Sequence, residues 1–168
     1  EAASCADDSL RINPEYPKAL ALRGTLHLEA QEWDAAILCL RKARTNGLIS
    51  ETIVPLARAH RGKREWGSAL EYYHELLQFR PDDPAVCLEV NEFLLESGDL
   101  ASALRGAEQL VELAPAEPKH WRHLATVYAR LGKWVKCRQA LKTASDVEKI
   151  ERGPELRTPR NRLDASPN

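Results

Sequence analysis

Methionine is absent from the 168 residues, phenylalanine occurs twice, and isoleucine and valine together number only 12. A chain so poor in β-branched side chains argues against sheet, because those side chains pack best on a pleated surface. No apolar run approaches the ~18 residues that cross a bilayer as a helix. The net charge is only -1, which excludes a generic nucleic-acid or membrane binder. The four cysteines (Cys5, Cys39, Cys87, Cys137) lie 34, 48 and 50 residues apart, with no Cys-x-x-Cys pair. That spacing suits neither a local zinc site nor a small disulfide scaffold. They read as buried thiols of a cytoplasmic or otherwise reducing compartment. The chain opens on Glu1 without a charged-then-apolar leader, and the expectation is a piece of a longer polypeptide.

Leucine (24) and alanine (23) supply what is plentiful. Unbranched side chains keep their rotamer freedom in a helix, so the composition favours an all-α protein. With 43% hydrophobic and 29% charged residues, the chain can bury a core.

An internal repeat organises the sequence. Trp33, Trp66, Leu100 and Trp134 are spaced by 33, 34 and 34 residues. Each is followed three residues on by Ala36, Ala69, Ala103 or Cys137. Upstream, Pro14-x-x-Pro17, Pro81-x-x-Pro84 and Pro115-x-x-Pro118 recur in the same frame, and the seam Asn46–Ser50 replaces the missing pair. Proline lacks the N–H that a helix interior needs but is tolerated at its first position. The first proline of each pair therefore ends one helix and the second opens the next. Such a string can also serve as a polyproline ligand, but its recurrence between helical patterns marks punctuation.

The pattern predicts helices near 17–29 and 33–45, 50–62 and 66–80, 84–97 and 100–113, and 118–131 and 134–150. Apolar residues recur at helical spacing, as in Trp121, Leu124, Ala125 and Tyr128. Pro55 falls inside the third of these helices, which is expected to start late or be distorted. The units are then 17–49, 50–83, 84–117 and 118–150. Residues 1–16 match a second helix of a preceding partial unit, with Cys5 in the place of Cys39. Residues 151–168 lack apolar periodicity and read as a disordered tail or linker. Trp33, Trp66 and Trp134 are expected to be buried between units.

The chain resembles the tetratricopeptide repeat family. The fourth unit carries Trp121, Leu124-Ala125, Tyr128, Gly132, Trp134, Cys137, Leu141 and Ala144; the third carries Leu94, Gly98, Ala103, Ala107, Leu110 and Pro115. His27 and His60 depart from the family's tyrosine, and Lys149 replaces its closing proline. The resemblance implies a right-handed superhelical solenoid of stacked antiparallel helix pairs. It also implies a protein–protein interaction scaffold that captures a partner peptide or helix in its concave groove.

Carried over position by position, the groove comprises Lys18, Thr25 and Leu28 from the first unit, and Arg58 and Arg61 from the second. Leu88, Glu92 and Leu95 follow from the third, and Lys119, Arg122, Thr126 and Arg130 from the fourth. Leu28, Leu88 and Leu95 are the expected apolar anchors. The Lys and Asn set with which co-chaperone members grip chaperone tails is missing, since Ala21, Thr25, Val54 and Arg58 occupy those positions.

Charge is uneven. The third unit has net charge -6 and the fourth +6. Solvated faces and attraction between neighbouring units account for this division; complementarity to an acidic peptide meeting Lys119 and Arg122 is the alternative. His120 and His123 share a helical face but have no evident third metal ligand. No Ser-His-Asp order, phosphate loop or paired-carboxylate motif stands out, so neither enzymatic chemistry nor a cofactor is expected. Two other readings remain: a recruiting segment of a larger enzyme, and an RNA-binding helical repeat, against which stand the missing aromatic ladder and the slightly negative charge.

Overall fold

The computed structural model describes residues 2–151. Among these it contains nine α-helices and no strand: α1 (Ala2–Ile12), α2 (Pro17–Glu29), α3 (Trp33–Thr45), α4 (Ile49–Gly62), α5 (Trp66–Phe79), α6 (Pro84–Ser97), α7 (Leu100–Leu113), α8 (Pro118–Arg130) and α9 (Trp134–Glu151). Each helix packs on the next in sequence, and α2 also touches α4. Residues 152–168, read as a tail, lie outside the described residues.

Pro17, Pro84 and Pro118 each stand in the first turn of a helix. The Asp83 carboxylate caps α6 by accepting from the Ala85 N–H, and Asp99 caps α7 by accepting from Ser102. Between the helices of each pair, one residue adopts the left-handed conformation: Gln31 (φ 60°), Arg64 (φ 60°), Gly98 (φ 90°) and Gly132 (φ 69°). The positions recur 33, 34 and 34 residues apart. After three of them the chain reverses the same way, with the N–H of Glu32, Glu65 and Lys133 donating to the carbonyls of His27, His60 and Tyr128.

Pro55 neither delays nor ends its helix, since α4 runs unbroken through it. The hydroxyl of buried Thr52 donates at 2.8 Å to the carbonyls of both Leu48 and Ile49, anchoring the turn before the proline. Ile53, Leu56 and Ala57 then bury the helix around it. That burial offsets the ~3 kcal/mol cost of an interior proline.

The core is shared between neighbouring units. One cluster joins Ala36, Ile37 and Leu40 of α3 to Leu56 and Ala59 of α4. A second centres on Tyr73 and Phe93, whose rings lie 4.7 Å apart, and a third runs from α6 to α9. Each unit thus covers its neighbour's apolar face, as a solenoid requires.

Three expectations fail here. Trp33 and Trp66 are half-buried, and the Trp33 ring lies over Gly62 of the following unit, but Trp134 is 64% exposed. No following unit covers Trp134 among the described residues. Of the cysteines only Cys87 is buried; Cys5 is exposed, and Cys39 and Cys137 are half-buried on helix flanks. Leu95 is 8% exposed and belongs to the core with Ala103 and Ala107, because the close approach of α7 covers it.

Candidate functional site

The first helices of the second, third and fourth units, α4, α6 and α8, present a common face. A cleft of about 470 Å³ opens there between Arg58, Arg61, Ala85, Leu88, Glu89, Glu92 and Lys119. A second cleft of about 330 Å³ continues past Arg61 to Arg64, Trp66, Glu96 and Arg130. Arg61 lines both clefts, so the two adjoin at that residue.

Two arginine–carboxylate forks bridge α4 to α6. Arg58 donates through Nε and Nη2 to the two oxygens of Glu89, at 2.6 and 2.7 Å. Arg61 forms the second fork with Glu96, its Nε donating at 2.6 Å. Bidentate geometry of this kind is the strong form of an ion pair. The forks raise the pKa of both guanidinium groups, and Arg61 holds the Glu96 carboxyl below its ordinary value. Beneath them the Tyr73 hydroxyl is buried near Arg61 without a regular hydrogen bond, and burial pushes its pKa up.

The forks change what the groove offers. Arg58 and Arg61 are occupied by the protein's own carboxylates. Arg122 is likewise paired, with Glu148 of α9. Lys119 meets Glu117 only at 3.5 Å across an exposed pair. Arg64, Glu92 and Arg130 make no ion pair among the described residues. The charges open to a partner are therefore Arg64, Glu92, Lys119 and Arg130, of mixed sign.

Of the residues expected in the groove, the structure brings together Arg58, Arg61, Leu88, Glu92, Lys119 and Arg130. Lys18, Thr25 and Leu28 lie outside both clefts, and Leu28 packs against the α3–α4 core. Arg122 and Thr126 also lie outside, the Thr126 hydroxyl donating to the Arg122 carbonyl at 3.0 Å. Glu89 and Glu96 were missed by sequence reasoning. The available signal was a carboxylate 31 or 35 residues after each arginine, about one repeat along.

Four of the five histidines meet polar partners within the fold. His27 and His60 each meet a carboxylate at 2.6 Å, from Glu32 and Glu65 respectively, and do not pair with one another. His120 is buried, with Nδ1 3.2 Å from the Ala114 carbonyl, whereas Nε2 of His123 lies 3.0 Å from the Asn91 side chain. No group of three or more potential metal ligands gathers among the described residues.

Solved structures similar in fold include MamA (TM-score 0.74, 15% identity, covering 89% of this chain and 88% of that one). Residues from 41 to the end of MamA from Desulfovibrio magneticus RS-1 match with a TM-score of 0.74 at 15% identity, covering 91% and 85%. YrrB, described as a TPR protein with an unusual peptide-binding site, matches with a TM-score of 0.71 at 18% identity, covering 87% and 76%. At these identities the likeness establishes the fold, an all-α solenoid of tetratricopeptide type. No curated protein sequence matches this one. The family model of the ChAPs matches residues 2–152, which includes every described residue, and the chain belongs to this family of Chs5p-Arf1p-binding proteins.

Proposed function

We propose that this chain is a protein-binding scaffold that seats a partner peptide or helix along the α4–α6–α8 face and performs no chemistry of its own. The single supporting observation is a pair of adjoining clefts lined by residues of three successive first helices, with two arginine–glutamate forks in their walls. The forks hold the groove open without spending its free charges. Leu88 supplies an apolar contact, while Arg64, Glu92, Lys119 and Arg130 set the partner's register, because charges at a rim govern orientation and encounter more than affinity. The partner segment would then carry a basic group opposite Glu92 and acidic groups opposite Arg64, Lys119 and Arg130. The family's description names Chs5p and Arf1p, and these are the first partners to test.

The test is calorimetric titration of the purified chain with purified Chs5p and with purified Arf1p. A Lys119→Glu/Arg130→Glu variant is titrated beside it, checked for unchanged helicity. Binding of one protein that weakens at least tenfold in the variant supports the reading. Equal binding by both chains moves the site away from this face, and no binding of either protein removes the family-named partners.

A further inference from the structure

The last described helix, α9, carries a second surface, distinct from the α4–α6–α8 groove. The repeat itself identifies it. Leu40, Tyr73 and Ala107 occupy one register position of successive second helices, 33 and 34 residues apart, and all three are completely buried. Leu141 holds the same position in α9 and is 48% exposed. Trp134 repeats the comparison: Trp33, Trp66 and Leu100 are half-buried, and Trp134 stands out into solvent. In α3, α5 and α7 these positions lie beneath the first helix of the next unit. The same stripe on α9 is uncovered among the described residues.

The stripe is not a plain copy of the earlier ones. Ile37, Leu70 and Leu104 share a register position that Arg138 fills in α9. Glu108, which accepts the Tyr128 hydroxyl at 3.0 Å from the next unit, has Lys142 as its counterpart. Arg138 and Lys142 make no ion pair among the described residues. The face is therefore an apolar seam, Trp134 and Leu141, beside two unneutralised cations. Residues 152–168 carry four arginines against two acids, so that segment has the wrong sign for it.

We infer that this face docks an acidic amphipathic helix, supplied by a protein partner and packed on α9 as α8 packs on α7, its apolar side over Trp134 and Leu141 and its carboxylates against Arg138 and Lys142. The helix needs small or slender residues where it crosses the Trp134 ring, as Gly62 is where it meets Trp33.

The protein supplies its own probes. A peptide of the α6 sequence, Pro84–Ser97, has an apolar side and three glutamates with no basic residue. A peptide of the α8 sequence, Pro118–Arg130, has a similar apolar side with one lysine and two arginines and no acid. Fluorescence anisotropy of each labelled peptide is followed against the full chain, against Leu141→Lys, and against Arg138→Glu/Lys142→Glu. These positions are exposed or half-exposed, so far-UV circular dichroism should be unchanged. The α6 peptide should bind at least tenfold tighter than the α8 peptide and lose at least tenfold with Leu141→Lys. The charge-reversed chain should invert the preference. Equal affinity for the two peptides, no binding of the α6 peptide, or indifference to Leu141→Lys overturns the proposal. So does a dimer of the chain, seen by sedimentation velocity and abolished by Leu141→Lys, because a second copy is then the occupant. Tighter binding of a peptide of residues 152–168 overturns it in favour of that segment of the same chain.

Discussion

Replacing Gly106 by alanine should destabilise the protein, against the sign that helix propensity gives. Gly106 lies in the interior of α7, where alanine is favoured over glycine by about 1 kcal/mol. A methyl at that position would fall on the side-chain amide of Asn91. Asn91 is 2% exposed, and its amide reaches both ends of one rung of α7. With its nitrogen turned toward α7 and α8, it donates to the Ala103 carbonyl at 2.7 Å and to Nε2 of His123 at 3.0 Å, while its oxygen accepts from the Ala107 N–H at 3.0 Å. The methyl would displace the amide from all three partners. Each of the three hydrogen bonds contributes about 1 kcal/mol, so the displacement costs about 3 kcal/mol. After the propensity gain, Gly106→Ala should lose about 2 kcal/mol.

The decisive comparison is with Asn91→Ala. In that background no amide is left to displace, and Gly106→Ala should become stabilising by about 1 kcal/mol. The coupling between the two sites is then about 3 kcal/mol, well above the ~0.5 kcal/mol at which distant sites add independently. Urea unfolding of the four proteins, followed by far-UV circular dichroism, measures it. A coupling below ~0.5 kcal/mol, or a stabilising Gly106→Ala in the parent chain, refutes the reasoning.

Four further outcomes follow from particular residues. Gln31→Gly and Arg64→Gly should each stabilise by about 0.5–1 kcal/mol, because relief of left-handed strain exceeds the glycine's added unfolded-state entropy; an unchanged or lowered melting temperature would contradict this. Trp33→Ala should cost about 2–3 kcal/mol, near the low end for aromatic truncation, and Trp134→Ala less than about 1, by urea unfolding; equal losses would deny that the following unit makes the difference. Burial, helped by His120, depresses the pKa of His123 below its ordinary value, and Nε2 accepting from Asn91 leaves the proton on Nδ1. A histidine depressed in the folded state contributes stability above its unfolded pKa of about 6.5, lost as pH falls through the window below that value; His123→Gln should flatten the stability profile there, and an unaltered profile would count against the assignment. Glu96, held low by Arg61, contributes stability above the ordinary glutamate range and loses it as pH falls toward its folded value; Arg61→Gln should remove that acid limb while leaving the histidine limb in place.

Helix ends were legible because they depend on short-range chemistry. Pro17, Pro84 and Pro118 open helices by the same backbone constraint wherever they occur, and a tryptophan or leucine at the repeat interval opens the second helix of each pair. Pro55 was misjudged because its compensation is spread over Thr52 and the buried residues around it, and no local pattern announces that. The groove was legible only in part for a different reason. A position in the repeat tells which helix face a residue occupies, but not whether a neighbouring unit has already claimed it. Leu95 and Leu88 lie on one helix, yet α7 covers the first and leaves the second half open. Arg58 and Arg61 carry the charge expected of a binding face, yet Glu89 and Glu96, one unit along, take it up. Trp134 shows the same limit from the other side. Its sequence position equals that of Trp33, and its surroundings differ because burial in a solenoid belongs to the pair of adjacent units rather than to the residue. A repeat therefore encodes its packing twice, once in the residue and once in the next unit. At Trp134, Arg138, Leu141 and Lys142 only the first of these two halves stands among the described residues, which is why Trp134 is exposed where Trp33 is half-buried.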